Sequence, residues 1–145
     1  TTRPGLDTGN WVNISGNVST TGTQTLTNKT IEAGVFANGY TEETYAPATG
    51  STFTFAFANG TIQSYTTNAN TTITLPAVVQ GKSFQIHVNY GGAHTLGFAG
   101  GTVAWPDNTT PSFSATASKT DIVNFVANAA GTKWMGSLYG KGYTT

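Results

Sequence analysis

Between Ser83 and Tyr90 the chain alternates with a strict period of two. Phe84, Ile86, Val88 and Tyr90 fall on one face, and Ser83, Gln85, His87 and Asn89 on the other. That spacing belongs to a half-buried β-strand, whose successive side chains point to opposite faces. Phe53, Phe55 and Phe57 repeat the pattern among Thr and Ala. Elsewhere Thr, Val, Ile, Phe and Tyr supply the bulk, residues that suit a pleated surface, whereas Leu occurs only 5 times and Met once. The pattern predicts an all-β chain.

Turn residues divide residues 51–139 into about eight short strands. Asn59-Gly60, after the Phe-Thr alternation, predicts a hairpin returning through Ile62–Thr66. Thr71–Leu75 reads as a separate strand closed by Pro76, and Gly91-Gly92 as a turn sending Ser83–Tyr90 back into Ala93–Phe98. Thr102–Trp105, Ser112–Ala117, Asp121–Ala127 and Thr132–Tyr139 complete the series, the last two joined by Asn128–Gly131. Strands and turns at this spacing predict an antiparallel β-sandwich or jelly roll. Residues 1–50 read differently, as an extended N-terminal arm and collar, with residues 51–145 as the sandwich domain. The large apolar groups of the first turns of chain, Leu6, Trp11, Val12 and Ile14, are spread among glycines and cannot form a core of their own. They are the expected partner-binding anchors of the arm, buried by adding a strand to another chain's sheet.

Charge narrows the partners. Only 6 basic and 6 acidic residues occur in 145, a charged share of 8% and a net charge of zero. With 29 Thr, 12 Asn and 9 Ser, polarity comes from hydroxyls and amides instead of ions. Nucleic-acid binding lacks its basic footprint. An apolar run of about twenty residues, which a bilayer span requires, is absent. The first residues carry no charged-then-apolar targeting pattern. There is no Cys, hence no disulfide framework and no thiolate site. An uncharged, Thr-rich exterior suits a surface covered by other chains.

Catalytic chemistry is thin. His87 and His94 would share one face of the expected hairpin, but no Asp, Glu or Cys accompanies them there to complete a metal site. Glu42 and Glu43 are adjacent, so a strand would point them apart. Asp107 and Asp121 fall in or beside turns, where local Asx hydrogen bonds account for them. A carboxylate pair meeting in space would be needed for glycoside hydrolysis. No Gly-x-Ser-x-Gly elbow and no phosphate-binding glycine loop occurs. Six Asn-x-Ser/Thr triplets are diluted by 38 Ser and Thr residues. Trp11, Trp105 and Trp134 are expected in the core or at an interface before any sugar. No cofactor is expected, and no catalytic or metal residue is singled out.

Gln24-Thr-Leu-Thr-Asn-Lys-Thr-Ile31 resembles the QTLTNKTI signature of tail-fibre and other structural proteins of tailed bacteriophages. A second phage pattern is similar to Val103-Ala-Trp-Pro106, Ala117-Ser-Lys-Thr-Asp121 and Gly131-Thr-Lys-Trp134, with Gly39-Tyr-Thr-Glu-Glu43 beside it. Members often have Lys before Trp-Pro where this chain has Ala104. The resemblance implies a virion structural protein and brings no catalytic residues. A 145-residue chain beginning at Thr1 is expected to be a trimeric capsid decoration (cement) protein on the virion surface. Its partners would be its own copies and the phage major capsid protein or other virion proteins. The alternative is a tail-fibre or receptor-binding module contacting a host surface glycan, and the distant one a small carbohydrate-active enzyme.

Overall fold

One long strand organises the fold. In this computed structural model, which describes residues 39–144, β2 (Ile62–Leu75) runs for 14 residues and buries Gln63, Tyr65, Thr67, Thr71, Ile73 and Leu75 on one face. β1 (Gly50–Thr54) precedes it, and a 3-10 turn at Phe57–Asn59 joins the two. β3 (Ser83–Tyr90), β4 (Leu96–Gly100) and β5 (Val103–Ala104) follow, then a 3-10 turn at Pro106–Asn108, β6 (Lys119–Ala127) and β7 (Trp134–Thr144). Residues Gly39–Thr145 form one compact unit. The expected arm anchors Leu6, Trp11, Val12 and Ile14 lie outside the described residues.

The all-β architecture stands, as a curled mixed sheet. The expectation of wholly antiparallel pairing does not hold. β1, β3 and β4 all pair with β2 in parallel, as β5 does with β7, and only β3–β6 and β6–β7 are antiparallel. Asn59-Gly60 therefore closes no hairpin: it ends a 3-10 turn, and the chain crosses over to run beside β1 in the same direction. Residues 62–66 and 71–75 are one strand, because no turn residue interrupts the Thr and Asn between them. Gly91-Gly92 is not a turn either. Gly91 N donates to Thr67 O and Thr71 N donates to Thr95 O, so β3 and β4 lie end to end along the same edge of β2. Residues 112–117 form no strand, and Phe113 from this segment packs over Phe98 and Trp105.

β4 and β5 curl the sheet. They are separated only by Gly101 and Thr102, yet β4 pairs with the far half of β2 and β5 with the far edge of β7. The core fills the curl. Phe84 stacks on Phe125 at 4.9 Å, meets Phe55 at 4.1 Å and takes Trp134 edge-on at 4.9 Å. Trp134 is fully buried and its Nε1 donates to Pro76 O at 2.9 Å. Along β7, Trp134, Gly136 and Leu138 face inward, with Leu138 half-buried. Fully burying one such side chain stabilises by about 1.5–3 kcal/mol relative to exposure.

The crossing requires glycine. A Cβ at Gly100 would lie 2.4 Å from Leu75 O, and one at Gly101 2.7 Å from Trp134 Cδ1. Gly100 also holds φ +87°, which disfavours any side chain. Gly100→Ala and Gly101→Ala are each expected to cost about 3 kcal/mol, through strain and overpacking. Gly97→Ala, where the nearest atom would be 3.8 Å away, should cost under about 1 kcal/mol. Urea unfolding checks this: the two crossing variants should lose midpoint at unchanged slope, while Gly97→Ala stays near the parent.

Candidate functional site

Two places concentrate polar chemistry: a buried carboxylate and an open, uncharged sheet face. Asp121 belongs to the first. It sits in β6, not in a turn, and is the one buried carboxyl among the described residues. Its Oδ1 accepts from Ser114 Oγ at 2.5 Å and from Gly142 N at 2.8 Å. Its Oδ2 accepts from Ser114 N at 2.7 Å and from Tyr90 Oη at 3.2 Å. Four donors from three separate segments thus satisfy one buried charge. Burial, then the Asp121 charge beside it, pushes the Tyr90 phenol well above its ordinary range, so Tyr90 remains a donor. Ser114 donates its hydroxyl hydrogen bond to Asp121, which makes the group a clamp on the chain.

The second place is the outer face of β2, β3, β6 and β7. Alternation that sends Phe84, Ile86 and Val88 inward turns Gln85, His87 and Asn89 outward. The register aligns Gln85 with Asn124, and Asn124 with Ser137. It also aligns Ser64 with His87, and His87 with Ile122. Gln85 Nε2 donates to Asn124 Oδ1 at 2.8 Å, Asn89 Nδ2 to Ser64 Oγ at 2.9 Å, and Thr120 Oγ1 to Asn89 Oδ1 at 2.6 Å. His87 Nε2 meets Gln85 Oε1 at 2.5 Å. A shallow depression of about 260 Å³ opens beside this ladder, edged by Ile62, Ser83 and Val126.

The two histidines do not meet. His87 faces outward, whereas His94 Nδ1 pairs at 2.9 Å with Thr67, an inward-facing residue of β2. The expected shared face rested on a Gly91-Gly92 turn that does not exist. Glu42 and Glu43 precede β1 and lie in no strand; the Glu42 carboxylate accepts from Thr61 Oγ1, Thr61 N and Ile62 N, and these bonds hold it below the usual carboxylate range. Asp107 sits in the 3-10 turn Pro106–Asn108 with φ 51°, a left-handed conformation that Asp tolerates. Among the described residues, no three His, Cys, Asp or Glu side chains gather to hold a metal ion, and no helix is long and apolar enough to cross a membrane. Trp105 and Trp134 are core residues: Trp105 packs on Phe98, Phe113 and Phe125. Sequence reasoning missed Asp121 as a clamp, since its donors lie up to 31 residues away in the chain. It also passed over Tyr139, whose exposure follows from the alternation that buries Trp134 and Gly136.

Comparison with protein-family models, with curated proteins and with solved structures finds no match to this chain.

Two outcomes follow from these sites. Asp121→Asn would turn an amide N–H toward two donors, with an expected loss of about 3 kcal/mol. In a thermal melt that is a fall of more than about 10 °C; Ser114→Ala, which removes one of the four donors, should fall less. His87 is held below its ordinary range by burial. The unfolded chain therefore binds that proton first, and stability declines as pH falls below about 6.5 toward the lowered folded value. In His87→Gln, urea midpoints measured down that range should decline less steeply than in the parent.

Proposed function

We propose that this chain is a structural virion protein of a tailed bacteriophage, a trimeric capsid decoration protein attached through its N-terminal arm. One observation carries the reading. Residues of the second phage pattern build the curled sheet, while Gln24–Ile31 lies outside the described residues: Trp105 packs on Phe125, Asp121 clamps three segments, and Trp134 seals the core against Pro76. A shared pattern made of such residues is a shared fold requirement, and virion proteins need a rigid, uncharged module more than they need reactive groups.

The ionisable groups support the same view. Glu42 is engaged by the backbone at Thr61 and Ile62, Asp121 by its four donors, and His94 by Thr67. General acid–base work needs a proton-transfer group presented to a substrate, whereas these groups are turned to holding the chain. The arm would supply attachment: three arms on one trimer act at high effective concentration, so no single contact must be strong. Leu6, Trp11, Val12 and Ile14 are the proposed anchors, buried against the major capsid protein or a neighbouring copy.

Attachment assays on purified particles test this. The triple variant His87→Ala, His94→Ala, Glu43→Gln should still bind particles at parental occupancy. Trp11→Ala should weaken binding by about 1–3 kcal/mol per arm. Abolished binding in the triple variant together with intact binding in Trp11→Ala would contradict the reading. So would a stable monomer in sedimentation at micromolar concentration.

A further inference from the structure

Tyr139 is set apart by the geometry of β7. Met135, Ser137 and Tyr139 point outward along this strand. Between the pairs Val123–Leu138 and Ile122–Gly140 the register slips, so Tyr139 is the extra residue of a bulge and has no partner on β6. Its side chain is 71% exposed. Bulges commonly re-aim a side chain beside a functional surface. Tyr139 lies two residues along β7 from Ser137, which ends the row Ser137, Asn124 and Gln85 that spans about 10 Å across three strands.

That row is oriented in advance. Gln85 is fixed between Asn124 Oδ1 and His87 Nε2. The bond engages the Asn124 carbonyl oxygen and leaves its amide hydrogens available on the outer face. The Ser137 hydroxyl is exposed beside them. The adjoining depression of about 260 Å³ is lined by uncharged residues alone. Burial keeps His87 toward its neutral form, which leaves the ladder without a formal charge at neutral pH.

We propose that this face binds a neutral oligosaccharide. Tyr139 supplies a flat ring for the C–H face of a pyranose, and the Asn124 amide and Ser137 hydroxyl meet its hydroxyl groups. A sugar hydroxyl both donates and accepts, as amides and hydroxyls do, and groups already held in place lose little freedom on binding. A polyanion would require cations, and the nearest lysine along β7, Lys141, lies with its Nζ 3.5 Å from Ser112 Oγ. A protein partner would require an apolar centre within about 800 Å² per side. Besides Tyr139, this face exposes Tyr143 at one end of β7 and the pair Val126 and Met135 at the other, with the polar row between them, so no apolar centre forms. The inference does not depend on where in a virion the protein sits.

The test is a titration of the isotope-labelled full chain with chitotriose, with maltotriose, and with a sulfated heparin oligosaccharide. At millimolar sugar, at least one neutral trisaccharide should shift the amide signals of Gln85, Asn124, Ser137 and Tyr139. Tyr139→Ala should weaken that binding about tenfold, Tyr139→Phe should retain it, and Tyr45→Ala, on the opposite edge of β2, should leave it unchanged. The proposal is overturned if neither neutral sugar shifts the face, or if Tyr139→Ala binds as the parent does. Tighter binding of the sulfated sugar overturns it too, as do shifts on the face that grow with protein concentration alone, because a second copy would then be its occupant.

Discussion

A single buried carboxylate ties the irregular segment at Ser114, which joins no ladder, to the three paired strands β3, β6 and β7. Asp121 is surrounded by neutral donors from the end of β3, from the irregular segment at Ser114 and from the bulge of β7 at Gly142. A charge taken out of water is costly unless its hydrogen bonds are complete. All three segments must therefore be in place together, and the loss of one leaves the others facing an unsatisfied anion. This explains why residues 112–117 are ordered against the core without being a strand. Asp121 fixes one end, and Phe113 fills the space against Phe98 and Trp105.

The curl itself depends on close backbone approach. β3 and β4 follow one edge of β2, and the chain then passes Leu75 and Trp134 through Gly100-Gly101 before joining β7. Such long-range parallel pairing carries a higher loop-closure cost than a chain of hairpins, and the aromatic core around Phe84 repays it.

Most strands were legible from the residues because alternation is local, although residues 112–117 read as a strand and form none. The alternation at Phe84–Tyr90, Asp121–Ala127 and Trp134–Leu138 assigns the inner and outer faces correctly. Strand partners were not legible, because pairing depends on crossovers that local turn chemistry does not encode. Asn59-Gly60 has the composition of a hairpin turn, but Gln63 reaches back and donates to Ala56 O and Gly60 O, stabilising a 3-10 turn instead. Gly91-Gly92 serves a strand continuing in its own direction: a Cβ at Gly91 would come 2.4 Å from Thr67 O. The polar ladder on the outer face was half visible. The outward residues of β3 could be read off the sequence, while their neighbours Asn124, Ser137 and Tyr139 required the register.

The proposed function rests on shape, neutrality and multiplicity, with Asp121, Glu42 and His94 committed to the fold and amides turned to the outside. The claim that such a module decorates a phage shell is tested most directly by imaging the virion that carries it. The account predicts density for this chain on the capsid lattice, in clusters of three, with residues 1–50 running against the shell protein. Density found only on the tail or its fibres, with a bare shell, would contradict it.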